Sequence, residues 1–195
     1  MFTTLHFFYG PMSSGKSMRL IQEYYNYNQK NADAWAIKPS TDRISEPKVI
    51  SRTGLECPAT IMKEIKWEDI IRMKEFYSKI YLIDEVQFFK SKDIDNLVKL
   101  ADTYNRLIYC YGLLTDVNEK LFPASKRLIE VGAKLHELET TCQMVGCMNS
   151  ANHHLRYHKS GYVIRDGKSV QVDDGSVIYK SVCRQCYNLE MGKRR

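Results

Sequence analysis

A glycine-rich segment near the amino end constrains the fold of this chain more than any other feature. It has the pattern G-x-x-x-x-G-K-S, and its residues are Gly10, Pro11, Met12, Ser13, Ser14, Gly15, Lys16 and Ser17. The apolar run 5–9 before it predicts a strand, and the pattern of residues 17–31 predicts a helix. A strand, a glycine-rich turn and a helix in that order let backbone N–H groups and the positive end of the helix converge on an anion. The segment is therefore predicted to bind the phosphates of a nucleotide.

The side chains of Lys16 and Ser17 have predicted roles toward ATP and Mg²⁺. The lysine would reach the β- and γ-phosphates, and the serine hydroxyl would lie on the metal ion. A second G-K-S, at residues 167–169, lacks the glycine five residues upstream, where Tyr162 stands. Because it lies at an Asp-Gly turn between two short alternating runs, it is predicted to be a hairpin tip rather than a nucleotide site.

Apolar runs and helical periodicities alternate along the first 140 residues. Strands are predicted at 5–9, 34–37, 80–83 and 107–111, and helices at 17–31, 67–77, 93–104 and 125–138. This alternation predicts a parallel α/β sheet flanked by helices, with ligands outside the carboxyl ends of the strands. From Cys142 the pattern changes to short alternating runs, glycine turns and paired cysteines. We therefore place a domain boundary near Thr140, between residues 1–140 and 141–195.

An acidic pair, Asp84 and Glu85, follows the apolar run 80–83. Carboxylates at the carboxyl end of a strand beside a phosphate loop hold Mg²⁺, directly or through water, and we assign this role to Asp84. Three roles are open for Glu85: accepting a proton from a substrate hydroxyl, polarising a water for ATP hydrolysis, or forming a structural salt bridge. The intact phosphate loop favours a catalytic role. The pattern alone does not separate a kinase from an ATPase.

Four of the six cysteines form two close pairs in the carboxyl-terminal part of the chain. Cys142 and Cys147 have the spacing C-x4-C, and Cys183 and Cys186 have the spacing C-x-x-C. Four thiolates in two pairs match a tetrahedral structural zinc site, which would stabilise a lobe too small to bury much apolar surface. The C-x-x-C alone would also suit redox chemistry, but the second pair favours zinc.

The two remaining cysteines and three histidines are interpreted without metal roles. Cys110 lies in an apolar run and is predicted to pack in the core, whereas Cys57, beside a proline, is predicted to lie in a loop. His153, His154 and His158 would compete as zinc ligands, but four thiolates already complete the coordination shell. We therefore interpret these histidines as surface or substrate-side groups.

Composition places the chain among ordinary soluble globular proteins, because 44% of its 195 residues are hydrophobic and 27% are charged. No run approaches the roughly 20 apolar residues that cross a bilayer, and the amino end lacks an export signal, so a cytoplasmic location without membrane contact is predicted. The net charge of +6 is diffuse, and the basic run 193–195 is typical of a solvated tail. A nucleic-acid partner is therefore not expected.

Three motifs together resemble the type II thymidine kinases, which are zinc-containing, RecA-like enzymes. The motifs are G-P-M-x-S-G-K-S at 10–17, D-E-V-Q-F at 84–88 and Y-K-S-V-C-R-Q-C-Y at 179–187, in the family's order over nearly the whole chain. The resemblance implies a RecA-like P-loop sheet with a small, β-rich zinc-binding lobe that carries a lasso loop. It also implies transfer of the γ-phosphoryl of MgATP to the 5′-hydroxyl of thymidine, giving dTMP for DNA precursor synthesis, by a homotetramer.

The resemblance further implies roles for individual residues. The loop 10–17 would bind ATP together with Asp84 and Gln87, and Glu85 would be the general base for the 5′-hydroxyl. Arg43 matches an arginine on the phosphate side. The residues implied on the nucleoside side are Met12, Gln87, Phe122, Val172, Gly175 and Tyr179, the last three from the lasso loop. That loop would grip the thymine mainly through main-chain groups.

The chain departs from the family's pattern at three places. The first cysteine pair is C-x4-C where the family has C-x-x-C, and Val117 and His154 stand where the family has a phenylalanine and a threonine near the base. These two positions motivate a second hypothesis, a kinase with a shifted base preference such as deoxyuridine or deoxycytidine. Two further hypotheses are a zinc-ribbon P-loop ATPase that acts on nucleic acid and a nucleotide-sensing module without turnover.

Overall fold

Ten strands and five helices form the part of the chain that the structure, a computed structural model, describes: residues 4–42, 46–165 and 177–193. The strands are β1 (Leu5–Tyr9), β2 (Ala34–Pro39), β3 (Lys48–Ile50), β4 (Glu56–Pro58), β5 (Thr60–Met62), β6 (Ile80–Ile83), β7 (Leu107–Gly112), β8 (Lys134–Glu137), β9 (His153–His158) and β10 (Val177–Val182). The helices are α1 (Lys16–Gln29), α2 (Trp67–Ile70), α3 (Ser91–Tyr104), α4 (Pro123–Glu130) and α5 (Arg184–Glu190).

Six of these strands form one sheet in the order β5-β2-β6-β7-β1-β8. Every neighbouring pair is parallel, as the alternation of strands and helices predicts. Strand β7 lies between β1 and β6, with Gly112 in register with Tyr9 and Cys110 in register with Ile83. The phosphate loop after β1 and the acidic pair after β6 therefore both lie at the carboxyl ends of the strands, with only β7 between them.

Apolar side chains cover both faces of this sheet. On one face Leu20 of α1 packs in a cluster with Leu82 of β6. On the other face Leu97 of α3 packs in a cluster with Ile83. Cys110 is fully buried in the second cluster, which confirms its predicted place in the core. A strand covered on both faces is apolar at every position, and this explains the unbroken run in β6.

The helix predicted over 125–138 is wrong in its second half. Helix α4 ends at Glu130, and the chain then turns into strand β8, which pairs with β1 at the edge of the sheet. Gly132 causes the change, because it adopts the left-handed region with φ of 77° just beyond the last helical turn. Its N–H bonds to the Ile129 carbonyl at 3.1 Å, which closes the helix end.

The helix predicted over 67–77 is also interrupted. Helix α2 spans only Trp67–Ile70, and a 3₁₀ turn covers Lys74–Tyr77. Met73 stands between them in an extended conformation, with φ of −84° and ψ of 148°. The apolar positions of this segment still face the core, since Trp67 and Phe76 pack against the same cluster. Helical spacing is therefore correct for burial and wrong for a continuous helix.

A β-hairpin over residues 48–58 is not predicted by the sequence pattern. Strands β3 and β4 pair antiparallel, and Cys57 lies opposite Val49 in this ladder. Both side chains are buried against α1, with exposed fractions of 1% and 2%. The loop predicted around Cys57 is therefore wrong. A three-residue strand shows too little alternation to be recognised in a sequence.

The carboxyl-terminal part packs around a small cluster of its own. Strands β9 and β10 pair antiparallel, and helix α5 packs against them. The Tyr187 hydroxyl of α5 donates to the Val117 carbonyl at 2.8 Å and so ties this part to the α/β region. Within the described ranges no helix is both long and apolar enough to cross a bilayer. The second G-K-S, Arg43, Val172 and Gly175 lie outside the described residues.

Candidate active site

The loop between β1 and α1 has the geometry of a phosphate cradle. Gly15 precedes α1 in the left-handed region, with φ of 82°, and Ser13 is left-handed as well, with φ of 66°. Gly10 has no room for a side chain, because a Cβ there would lie 2.2 Å from the Leu138 carbonyl oxygen. These left-handed residues wrap the loop around the amino end of α1, where the helix dipole favours an anion.

The ammonium group of Lys16 lies inside this loop. Its Nζ donates to the carbonyl oxygens of Gly10 at 2.9 Å and Pro11 at 2.7 Å, and the residue is buried. Burial lowers the pKa of Lys16, while the carboxylates of Glu85 and Asp84 oppose that shift. The charges of the acidic pair therefore act on the phosphate-loop lysine. This agrees with the sheet topology, which places both at the carboxyl ends of strands in one sheet.

A direct hydrogen bond joins the phosphate loop to the central strand. The Ser17 hydroxyl donates to Asp84 Oδ2 at 3.0 Å, and Asp84 is buried. Burial, and next the neighbouring charge of Glu85, raises the pKa of Asp84 to about 7. A hydroxyl oxygen and a carboxylate this close are ligands that Mg²⁺ accepts, and a cation between them would offset the burial of the charge. The residues present thus fit the predicted magnesium site.

Glu85 is held in an unusual backbone conformation. It is a half-buried, non-glycine residue in the left-handed region, with φ of 46° and ψ of 42°. Such a conformation costs of order 1–3 kcal/mol and persists where surrounding contacts fix it, commonly at functional sites. Strand β6 ends at Ile83, and this conformation turns the chain directly after Asp84.

Gln87 is buried between Glu85 and the end of β7. Its Nε2 donates to Glu85 Oε2 at 2.5 Å, and its Oε1 accepts from the Leu113 backbone N–H at 3.0 Å. Gly112 makes room for this amide, because a Cβ there would lie 2.5 Å from Gln87 Oε1. Both ends of the amide are therefore engaged with protein groups. Its implied contacts with ATP and the sugar remain predictions.

Two strands of the carboxyl-terminal part hold the backbone of Met12 in the phosphate loop. The Met12 N–H donates to His154 Nε2 at 3.0 Å, and Ser181 Oγ donates to the Met12 carbonyl at 2.7 Å. His154 and Ser181 are directly opposite each other in the β9–β10 ladder. His154 is 5% exposed, so of its two interpretations the surface group is wrong, and the substrate-side group stays a prediction. Sequence reasoning missed this role because the partners are 142 and 169 residues apart.

The hydrogen bond from Met12 requires a neutral His154. Burial, and next the charge of Lys16, lowers the pKa of His154 to about 4. An unfolded histidine has its pKa near 6.5, so the unfolded chain binds this proton more readily between those values. The free energy of unfolding should therefore fall by about 3 kcal/mol from this group as the pH drops from about 6.5 to 4.

Denaturant titrations of the wild type and of His154→Gln across that pH range test this prediction. The glutamine oxygen can still accept the Met12 hydrogen bond, but it does not titrate. We expect the difference in stability between the two proteins to change by about 3 kcal/mol with pH. A difference that stays constant between pH 7 and 4 would show that His154 is not held neutral by the fold.

Two aromatic residues implied on the nucleoside side, Phe122 and Tyr179, lie in the described part of the chain. Phe122 is buried and meets the ring of Phe88 edge to face, with centroids 6.4 Å apart. Tyr179 is half-buried in β10, two residues before Ser181. Because strand side chains alternate, Tyr179 projects from the same face as Ser181, which contacts the phosphate loop. Contacts of Phe122, Tyr179 and Met12 with a nucleoside stay predictions.

The four cysteines predicted to bind zinc come together. The Sγ atoms of Cys142, Cys147, Cys183 and Cys186 all lie within 4.8 Å of one another. Cys147 Sγ and Cys183 Sγ are 3.8 Å apart, and a tetrahedral zinc with bonds of about 2.3 Å would separate its sulfurs by about 3.8 Å. The donor set therefore fits zinc, and the longer C-x4-C spacing is accommodated. Among the described residues no histidine joins this cluster.

The phosphate loop, the acidic pair and the thiolate cluster define a P-loop α/β protein whose carboxyl-terminal part carries four cysteines that could hold a metal ion. A family model described as thymidine kinase matches residues 3–187. The chain belongs to the thymidine kinase family.

Curated relatives with the same name align over nearly their whole length. A thymidine kinase of Mannheimia succiniciproducens is 34% identical over 193 residues, which cover 97% of each chain. One of Photorhabdus laumondii is 35% identical over 98% of this chain and 95% of its own. One of Aliivibrio fischeri is 35% identical over 97% of this chain and 98% of its own. The resemblance seen in the three motifs is confirmed, and neither a shifted base preference nor a nucleic-acid ATPase is favoured.

Proposed function

We propose that this protein transfers the γ-phosphoryl group of ATP to the 5′-hydroxyl of thymidine, giving dTMP. The observation that carries the proposal is the 3.0 Å hydrogen bond between Ser17 and Asp84, which brings the phosphate loop and the acidic pair to one place. Membership of the thymidine kinase family supports thymidine as the acceptor of the phosphoryl group. ATP as the donor is supported by the phosphate loop and its buried lysine.

Each site residue has its own role in this phosphoryl transfer. Glu85 accepts the proton of the 5′-hydroxyl while that oxygen forms a bond to the γ-phosphorus, and the bond from this phosphorus to the bridging oxygen of ADP breaks. Lys16 stabilises negative charge on the transferring group. Ser17 and Asp84 would hold Mg²⁺, which when bound neutralises charge on the β- and γ-phosphates. Loop 10–17 supplies the backbone donors that orient the nucleotide.

Phosphorylation of a panel of nucleosides with radiolabelled ATP tests this function. We expect thymidine to be converted to its 5′-monophosphate at the highest kcat/KM. Conversion of deoxyuridine or deoxycytidine in preference to thymidine would assign a shifted base preference instead. ATP hydrolysis that is stimulated by single-stranded DNA and untouched by every nucleoside would contradict the kinase and favour the ATPase.

In this mechanism Gln87 positions the general base. Its amide links Glu85 to the Leu113 backbone, so removing it should leave the carboxylate free to rotate. We expect Gln87→Leu to lower kcat about 10- to 100-fold, the range for a lost hydrogen bond to a charged group, with the KM for thymidine unchanged. Steady-state kinetics at saturating ATP measure both constants. A raised KM with unchanged kcat would instead support the contact with the sugar that the family resemblance implies.

We propose two domains, 1–140 for the nucleotide and 141–195 for zinc and the lasso loop, because the cysteine part packs around its own cluster. The lasso residues Val172 and Gly175, with Tyr179 and Phe122, would enclose the thymine and exclude water. A homotetramer follows from the family resemblance, and the cytoplasmic location stays a prediction. Sedimentation measures the oligomeric state.

A further inference from the structure

The turn of the β3–β4 hairpin carries an arginine to the phosphate loop. Nη1 of Arg52 donates to the hydroxyl of Ser13, although the two residues are 39 positions apart. Ser13 is exposed and left-handed at the middle of the loop 10–17. Arg52 lies outside the three motifs and outside the residues that the family resemblance implies. Its guanidinium, which bonds here to a neutral hydroxyl, lies at the rim of the cradle that would hold a triphosphate.

The hairpin that carries this arginine has hydrogen bonds of its own. The Ser51 N–H donates to the Leu55 carbonyl at 2.8 Å, and the hydroxyls of Ser51 and Thr53 lie 2.8 Å apart. At the base of the hairpin the buried Lys38 ammonium donates to the Lys48 carbonyl at 3.0 Å. The hairpin is therefore anchored to the core at its base, while Arg52 itself is exposed and is held by its hydrogen bond to Ser13.

Arg52 and Lys16 bring two positive charges to one space. After burial and the acidic pair, the charge of Arg52 is a further influence on the pKa of Lys16, which it lowers. Two cations that repel each other across a phosphate loop are stabilised together when an anion lies between them. A planar guanidinium suits that anion when it is a phosphate, because its N–H donors match two oxygens at once.

We propose that Arg52 contacts the terminal phosphate of bound ATP and stabilises the charge on the phosphoryl group during transfer. The proposal rests on the proposed function for its donor nucleotide. The guanidinium keeps its protons throughout, so the bonds made and broken remain those described above. An arginine supplied within the same chain can take this part in phosphoryl transfer. Ser13 then serves as its resting partner.

Binding of MgATP and MgADP to Arg52→Ala, measured by calorimetry, tests the contact without turnover. We expect MgATP affinity to fall about 10- to 100-fold, as for a lost charge-assisted hydrogen bond, and MgADP affinity to fall less than about threefold. kcat/KM for thymidine phosphorylation should fall at least as much as ATP affinity. Arg52→Lys keeps the positive charge but lacks the paired N–H donors of the guanidinium. Its MgATP affinity should therefore lie between those of the wild type and Arg52→Ala.

Leu55→Ala is the matched control, because it shortens an exposed side chain of the same turn and keeps both the arginine and the backbone hydrogen bonds of the hairpin. It should bind both nucleotides like the wild type, and unchanged thermal unfolding would show that each variant is folded. Equal losses for ATP and ADP, no loss, or the same loss in Leu55→Ala would overturn the proposal. If the wild type phosphorylates no nucleoside, the proposed function fails. The difference between MgATP and MgADP affinities still tests the contact of Arg52, because that measurement needs no turnover.

Discussion

Glu85→Gln should abolish thymidine phosphorylation while leaving MgATP binding intact. The substitution removes the group that accepts the 5′-hydroxyl proton, and general bases contribute about 10²- to 10⁴-fold to a rate. Its amide oxygen can still accept the hydrogen bond from Gln87 Nε2, so the local geometry is kept. We therefore expect kcat to fall at least about 10²-fold, with MgATP affinity within about twofold of wild type.

Single-turnover phosphorylation with radiolabelled ATP measures this loss, and calorimetry measures the retained binding. Glu130→Gln is a suitable control, because Glu130 is exposed at the end of α4, where its carboxylate pairs with Lys126 and Arg127 of the same helix. Its kcat should equal that of the wild type. Turnover by Glu85→Gln at the wild-type rate would remove Glu85 from the mechanism, and a parallel loss of ATP binding would make its role structural.

Cys183→Ser should release the metal and unfold the carboxyl-terminal part. Cys183 precedes α5 and its sulfur lies within the four-thiolate cluster. Structural zinc contributes an apparent free energy of about 10–16 kcal/mol in small domains, which equals or exceeds the stability of a typical domain. Because β9 and β10 also hold the Met12 backbone, thymidine phosphorylation should be lost with the fold of this part.

Metal content and thermal unfolding of purified protein measure both effects. We expect about one zinc per chain in the wild type and a large loss in Cys183→Ser. Cys57→Ala is the control, since Cys57 is buried in β4 and stands outside the cysteine cluster. It should keep its zinc. A Cys183→Ser protein with full metal content and unchanged unfolding would show that the cluster is not a structural zinc site.

The alternation of strands and helices makes the sheet predictable, because parallel strands buried on both faces are continuous apolar runs. Strand β6 is such a run, and its predicted position is confirmed. Strand β8 is not predictable in this way, because at the sheet edge its residues are mostly exposed and carry no apolar pattern. Helical spacing continues from α4 into that strand, and only the left-handed Gly132 marks the change. Local periodicity does not report which neighbour a short segment pairs with.

The residues of the candidate site likewise fall into those that the sequence pattern predicts and those that it does not. Lys16, Ser17 and Asp84 are predictable, because each lies at the end of a strand or the start of a helix whose partners the topology fixes. The contacts of His154 with Met12 and of Arg52 with Ser13 are not. They join distant parts of the chain through a single side chain, and no spacing in the sequence encodes such a pair.

A crystal structure with Mg²⁺, a non-hydrolysable ATP analogue and thymidine tests the central claim most directly. The claim is that the phosphate loop and the acidic pair act on one bound nucleotide. We predict Mg²⁺ about 2.1 Å from Ser17 Oγ and bound by Asp84 directly or through one water. Glu85 should lie within about 3.2 Å of the thymidine 5′-oxygen. A triphosphate bound away from residues 10–17, or a 5′-hydroxyl out of reach of Glu85, would contradict the account.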